Sequence, residues 1–91
     1  MTGASERNRM IIVDVRVPAL EKQYNLSLEE KAKVGDLIEE IVELILQKEH
    51  IGFRGDINSL VLSSIDKGVQ MRRDRTLSDY GVRGGDELLL V

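Results

Sequence analysis

The sequence predicts an α+β fold in which one long helix lies across a mixed sheet of four to five strands. Three observations carry this. Alternating β-branched residues follow a polar start, one stretch places apolar residues at helical spacing, and Glu87-Leu-Leu-Leu-Val91 reads as a buried strand. An amphipathic helix has an apolar stripe to bury, and the apolar face of a sheet is the partner available to it.

The elements follow in order. Residues 1–9 are small, polar and charged, and read as a flexible leader to a single domain over 10–91. Ile11, Val13, Val15 and Val17 then alternate with Ile12, Asp14 and Arg16, the period of a strand with one buried face. Pro18 ends it, because proline has no N–H for a ladder. Tyr24, Leu26 and Leu28 alternate with Asn25, Ser27 and Glu29, so a hairpin with a loop around 19–23 is expected. Over 34–48, Val34, Leu37, Ile38, Ile41, Leu44 and Ile45 recur at three- and four-residue steps. This predicts a helix that turns Leu37, Ile41 and Leu44 to the sheet. Asp36 suits its positive end, Lys48 its negative end, and Gly52 its termination. No residue stands out as its N-cap.

Leu60, Val61 and Leu62 form the third expected strand, 63–68 a turn, and 69–71 a short return strand. A basic loop over 72–75, one helical turn over 76–80 and a glycine turn over 81–85 lead into the last strand. The first and last strands are the most apolar and are expected as parallel neighbours in the middle of the sheet.

Composition narrows the function. With 91 residues, the chain is one small domain. The absence of cysteine removes disulfides, thiolate metal sites and cysteine nucleophiles. A lone His50 leaves no material for a histidine dyad. Glu39, Glu40 and Glu43 read as a solvated helix face rather than a catalytic carboxylate pair. No catalytic residue, metal ligand or cofactor-binding motif is expected, and Gly81-Val-Arg-Gly-Gly85 is not a phosphate loop. The net charge of -3, with one Phe and no Trp, argues against a nucleic-acid groove. The apolar runs fall far short of the roughly 20 residues that span a membrane, and the start is not a signal peptide, so the cytoplasm is the expected location.

The string Arg75-Thr-Leu-Ser-Asp-Tyr80 resembles ubiquitin at the same place, before a turn and a terminal apolar strand. A closer resemblance runs through Val15-Arg-Val-Pro-Ala-Leu-Glu-Lys-Gln-Tyr24, Val34-Gly-Asp-Leu-Ile-Glu-Glu-Ile-Val-Glu-Leu-Ile45 and Gly81-Val-Arg-Gly-Gly-Asp-Glu-Leu88. It is to the YukD/EsaB family, small bacterial ubiquitin-like proteins associated with type VII (Ess/Yuk) secretion in Gram-positive bacteria. The resemblance implies a ubiquitin-like β-grasp and a non-enzymatic module, a component or regulator of such a system, with a protein partner in the secretion machinery. It implies no small-molecule substrate. A modifier or carrier activated at its C-terminus is the alternative. Gly84-Gly85 stands before the last strand rather than after it, which disfavours that alternative.

A docking surface is expected on the sheet face away from the helix. If Val13, Val15, Leu60, Leu62, Leu88 and Leu90 face the helix, then Ile12, Val61 and Leu89 face outward. In the strand order of a ubiquitin-like fold they are expected side by side, an apolar centre for protein binding. Arg72, Arg73 and Arg75 are expected on a nearby loop, steering a partner's approach. The stretch from Lys67 to Asp86 carries 5 basic and 3 acidic residues, against 3 and 7 from Glu29 to Glu49, so the two sides are expected to differ in charge.

Overall fold

In the computed structural model, which describes residues 9–91, five strands form one mixed sheet crossed by a single α-helix. β1 (Met10–Val17) and β2 (Lys22–Glu29) pair antiparallel along their whole length, from Met10↔Glu29 to Val17↔Lys22. The chain reverses through a 3₁₀ turn, Pro18–Leu20, and Glu21, which takes a left-handed conformation with φ 54°. The tight turn lets β2 begin at Lys22, inside the loop the sequence predicts. Of the expected leader, all but Arg9 lies outside the described residues. The Arg9 carbonyl accepts from the Glu30 N–H at 3.0 Å, continuing the hairpin by one step.

α1 (Val34–Glu49) crosses the sheet and buries Val34, Leu37, Ile38, Ile41, Val42 and Ile45. Leu44, expected among them, is instead 39% exposed. At about 100° per residue, Ile38, Ile41 and Ile45 fix the inward direction, which carries Leu44 onto the flank and brings Val42 in. The helix ends at His50, not Gly52. His50 adopts φ 56° and its N–H returns to the Leu46 carbonyl. At the other end the free N–H groups find long-range partners. Val34 N–H donates to the Arg75 carbonyl at 2.7 Å, and Gly35 N–H to the Arg73 carbonyl at 3.0 Å. No side chain caps this helix start, which explains why the sequence shows no cap.

The second half of the chain supplies β3 (Leu62–Ser64), β4 (Val69–Gln70) and β5 (Glu87–Leu90), in the sheet order β2-β1-β5-β3-β4. β1 and β5 are parallel central neighbours, as expected, through Asp14↔Glu87, Val15↔Leu88 and Arg16↔Leu89. β3 starts two residues later than expected and ends on Ser63 and Ser64. Ser64 tolerates burial because its hydroxyl accepts the Lys67 N–H at 3.1 Å, which also folds the β3–β4 turn. The core between sheet and helix takes Val13, Val15, Leu28, Leu62, Leu88 and Leu90 from the strands. Met71, Leu77 and Val82 close it from the loops. Leu60, expected inward, is only half-buried because it precedes the ladder.

Candidate protein-docking surface

Ile12, Val61 and Leu89 all point away from the helix. Ile12 is 59% exposed, while Val61 and Leu89 are half-buried. Their arrangement across the sheet differs from the expected row. Leu89 lies opposite Arg16 on β1 and Ser63 on β3, so Ile12 is four residues further along β1. That is roughly 13 Å at strand rise. Ile12 instead has Ser27 beside it on β2, and its carbonyl accepts the Gly85 N–H at 2.8 Å.

Two apolar spots result, separated by a polar band. One is Ile12 with the exposed Met10, next to the side-chain-free notch at Gly84-Gly85. The other is Leu89 with Val61 and Val91, where the backbones of Val61 and Val91 exchange bonds of 2.7 and 3.0 Å. Between them lie Asn25 hydrogen-bonded to Asp14, and Arg16 paired with Glu87 at 3.3 Å. Met10 and Val91 were not among the predicted contact residues. Their signal was parity alone, since Met10 shares a face with Ile12 and Val91 with Leu89.

The arginine loop lies near one of the three outward residues, since Arg72 and Arg73 line a shallow depression with Val61, and far from Ile12. It lies against the start of α1, beyond β4, across the sheet from Ile12. Arg73 is half-buried. Its Nη1 donates to the Leu60 carbonyl at 2.8 Å, and its stem packs where a side chain at Gly35 would stand. A guanidinium thus serves an acceptor that precedes the β3 ladder. Arg72 is held by Asp74 through two bonds of 3.0 and 3.1 Å, and its N–H donates to the Tyr80 hydroxyl. The hydrogen bond to Arg72 lowers the Asp74 carboxyl below the usual carboxylate range. Arg75 contributes its carbonyl to the helix start, and its exposed side chain makes no ion pair among the described residues.

At the opposite end of the helix, Glu49 clamps α1 to β2. Its Oε1 accepts from Lys22 Nζ and its Oε2 from the Tyr24 hydroxyl, each at 2.7 Å. Burial, then the bond to Glu49, pushes Tyr24 up to about 12. The bonds from Lys22 and Tyr24 lower the Glu49 carboxyl. This is a structural clamp, since the buried Tyr24 hydroxyl is fully engaged.

Three solved structures illustrate the likeness of fold. The EccD5 ubiquitin-like domain from Mycobacterium xenopi superimposes with a TM-score of 0.69 at 20% identity, covering 91% of this chain and 93% of that one. The UBL domain of Plasmodium falciparum Dsk2 gives 0.69 at 23% identity, with 91% and 97% covered. The ubiquitin-like domain of Arabidopsis thaliana protein At2g32350 gives 0.68 at 23% identity, with 91% and 77% covered. At these identities the likeness establishes a ubiquitin-like fold. No curated protein sequence matches the chain. The profile of protein YukD of the WXG100 protein secretion system (Wss) matches residues 11–90. With the fold and nearly the whole domain in agreement, the chain belongs to the YukD family.

Proposed function

We propose that this protein is a non-enzymatic interaction module that acts in the cytoplasm as a component or regulator of a Gram-positive type VII (Ess/Yuk) secretion system. It docks on a protein of that machinery through the outer face of the sheet. The observation that carries the reading is the apolar edge of Leu89, Val61 and Val91 beside the Arg16–Glu87 pair. Apolar side chains held on a rigid sheet supply contact area, and the adjacent ion pair sets orientation. Ile12 and Met10 provide a second contact, separated from the first by the polar band. Arg75 and the salt-bridged Arg72 are left to steer approach, while Arg73 serves the fold. The alternative, a carrier activated through a diglycine, finds no support at Gly84-Gly85, which sits in the turn before β5 with Gly85 bonded to β1.

Leu89→Asp tests the reading, because it places a charge on this surface without emptying the core. In a host strain lacking the native gene, the variant is expected to accumulate as a folded protein and fail to restore secretion of WXG100 substrates. Full restoration of secretion by Leu89→Asp overturns the reading.

A further inference from the structure

An apolar groove lies at the C-terminal end of α1, away from the arginine loop, with a volume of about 480 Å³. Leu20 from the 3₁₀ turn and Leu46 from α1 line it, and the buried Leu90 lies beneath. Ile51 and Phe53, 45% and 40% exposed, form the lip. Arg54 is the one charged residue in the lining. The groove falls within the size range of preformed binding sites and has room for about three bulky side chains at protein packing density.

Two observations define the occupant. The strand backbones beneath the groove are already paired, Val17 with Lys22, Leu90 with Leu62, and Val61 with Val91. No sheet edge is offered there, so the groove takes inserted side chains rather than an added strand. Charge supplies the second constraint. Arg54 at the mouth, with no acidic side chain in the lining to compensate it, favours a carboxylate.

We propose that this groove holds a helical segment of a protein partner, with bulky apolar residues at i, i+4 and i+7 and one carboxylate beside them that meets Arg54. The proposal rests on the interaction-module reading and adds the chemistry of the partner. The groove meets the outer sheet face at Val91, which belongs to its lining, while Leu89 and Val61 lie outside it.

Methyl and aromatic NMR of the full chain tests it with two synthetic helical peptides. Both carry leucine, phenylalanine and leucine at those positions. One has glutamate at i+3 and the other lysine. The glutamate peptide is expected to give saturable shifts at Leu20, Leu46, Ile51 and Phe53, and the lysine peptide to bind about fivefold more weakly. Arg54→Glu is expected to reverse that order. Phe53→Ser is expected to abolish the shifts while the melting temperature holds, since Phe53 is a lip residue. The proposal is overturned if decanoate saturates the same methyls and neither peptide does, which would mark a lipid site. Shifts confined to Leu89 and Val61, or a Phe53 ring found folded onto Leu90 in the free protein, also overturn it. An empty groove would leave the Leu89→Asp secretion result unaffected, so the two readings fail separately.

Discussion

Arg73→Met isolates the guanidinium's contribution to the fold. The substitution keeps an unbranched apolar stem against Gly35 and removes the donor to the Leu60 carbonyl. The bond is 2.8 Å long, in the range of charge-assisted contacts. Hydrogen bonds to charged groups contribute roughly 1.5–3 kcal/mol. Arg73 and Leu60 are both half-buried, so water replaces part of the loss, and about 1–2 kcal/mol is expected. In a domain of this size that lowers the melting temperature by about 4–16 °C. Calorimetry or circular dichroism reads it directly, with Arg73→Lys as the charge-preserving control. Lysine keeps the charge but lacks the planar fork, so a smaller loss is expected. A loss below about 0.5 kcal/mol, the range of ordinary surface substitutions, refutes the structural role and returns Arg73 to the rim of a docking surface.

The helix face is checked by a pair of truncations. Ile41→Ala is expected to cost about 2–5 kcal/mol and Leu44→Ala less than about 1 kcal/mol in chemical denaturation, because only Ile41 is fully buried. His50→Gly is expected to raise stability by about 1 kcal/mol by relieving the left-handed backbone at φ 56°. The Tyr24 hydroxyl rises from 10.0 to about 12 on folding, so the unfolded chain ionises first. Stability is therefore full below pH 10 and falls between pH 10 and 12, and Tyr24→Phe removes that fall in a pH series of melts. Glu49 is lowered on folding, so its contribution is present above the ordinary carboxylate range and lost as acid protonates it, a loss absent in Glu49→Gln.

Local pattern made much of this fold readable, and long-range geometry hid the rest. Val13 and Val15 reveal their face by alternation, and Ile38, Ile41 and Ile45 reveal theirs by helical spacing. The start of α1 is opaque because its caps are the Arg73 and Arg75 carbonyls, about forty residues downstream. Ser63 and Ser64 look like turn residues until the Lys67 N–H is placed on the Ser64 hydroxyl. The outward direction of Ile12, Val61 and Leu89 followed from parity, but their spacing did not. The offset of two parallel strands from opposite ends of a domain is set by the whole core, with no turn to fix it. Arg73 illustrates the same limit, since a charged loop residue gives no local sign that its donor replaces part of a ladder.

The central position of β5 has a consequence for how the polypeptide comes into being. Among the five strands of this sheet β5 comes last in chain order, and it separates β1 from β3. Its partner residues on β1 lie about seventy positions earlier, so the bridging contacts close a loop spanning most of the domain. During synthesis the β1–β2 hairpin and α1 leave the ribosome while the sheet still lacks its middle strand. The apolar faces of β1 and α1 then have no completed core to enter. Folding is expected as a single late event, after Leu88 and Leu90 emerge, and a nascent chain stalled before Glu87 is expected to be protease-sensitive and prone to capture by chaperones.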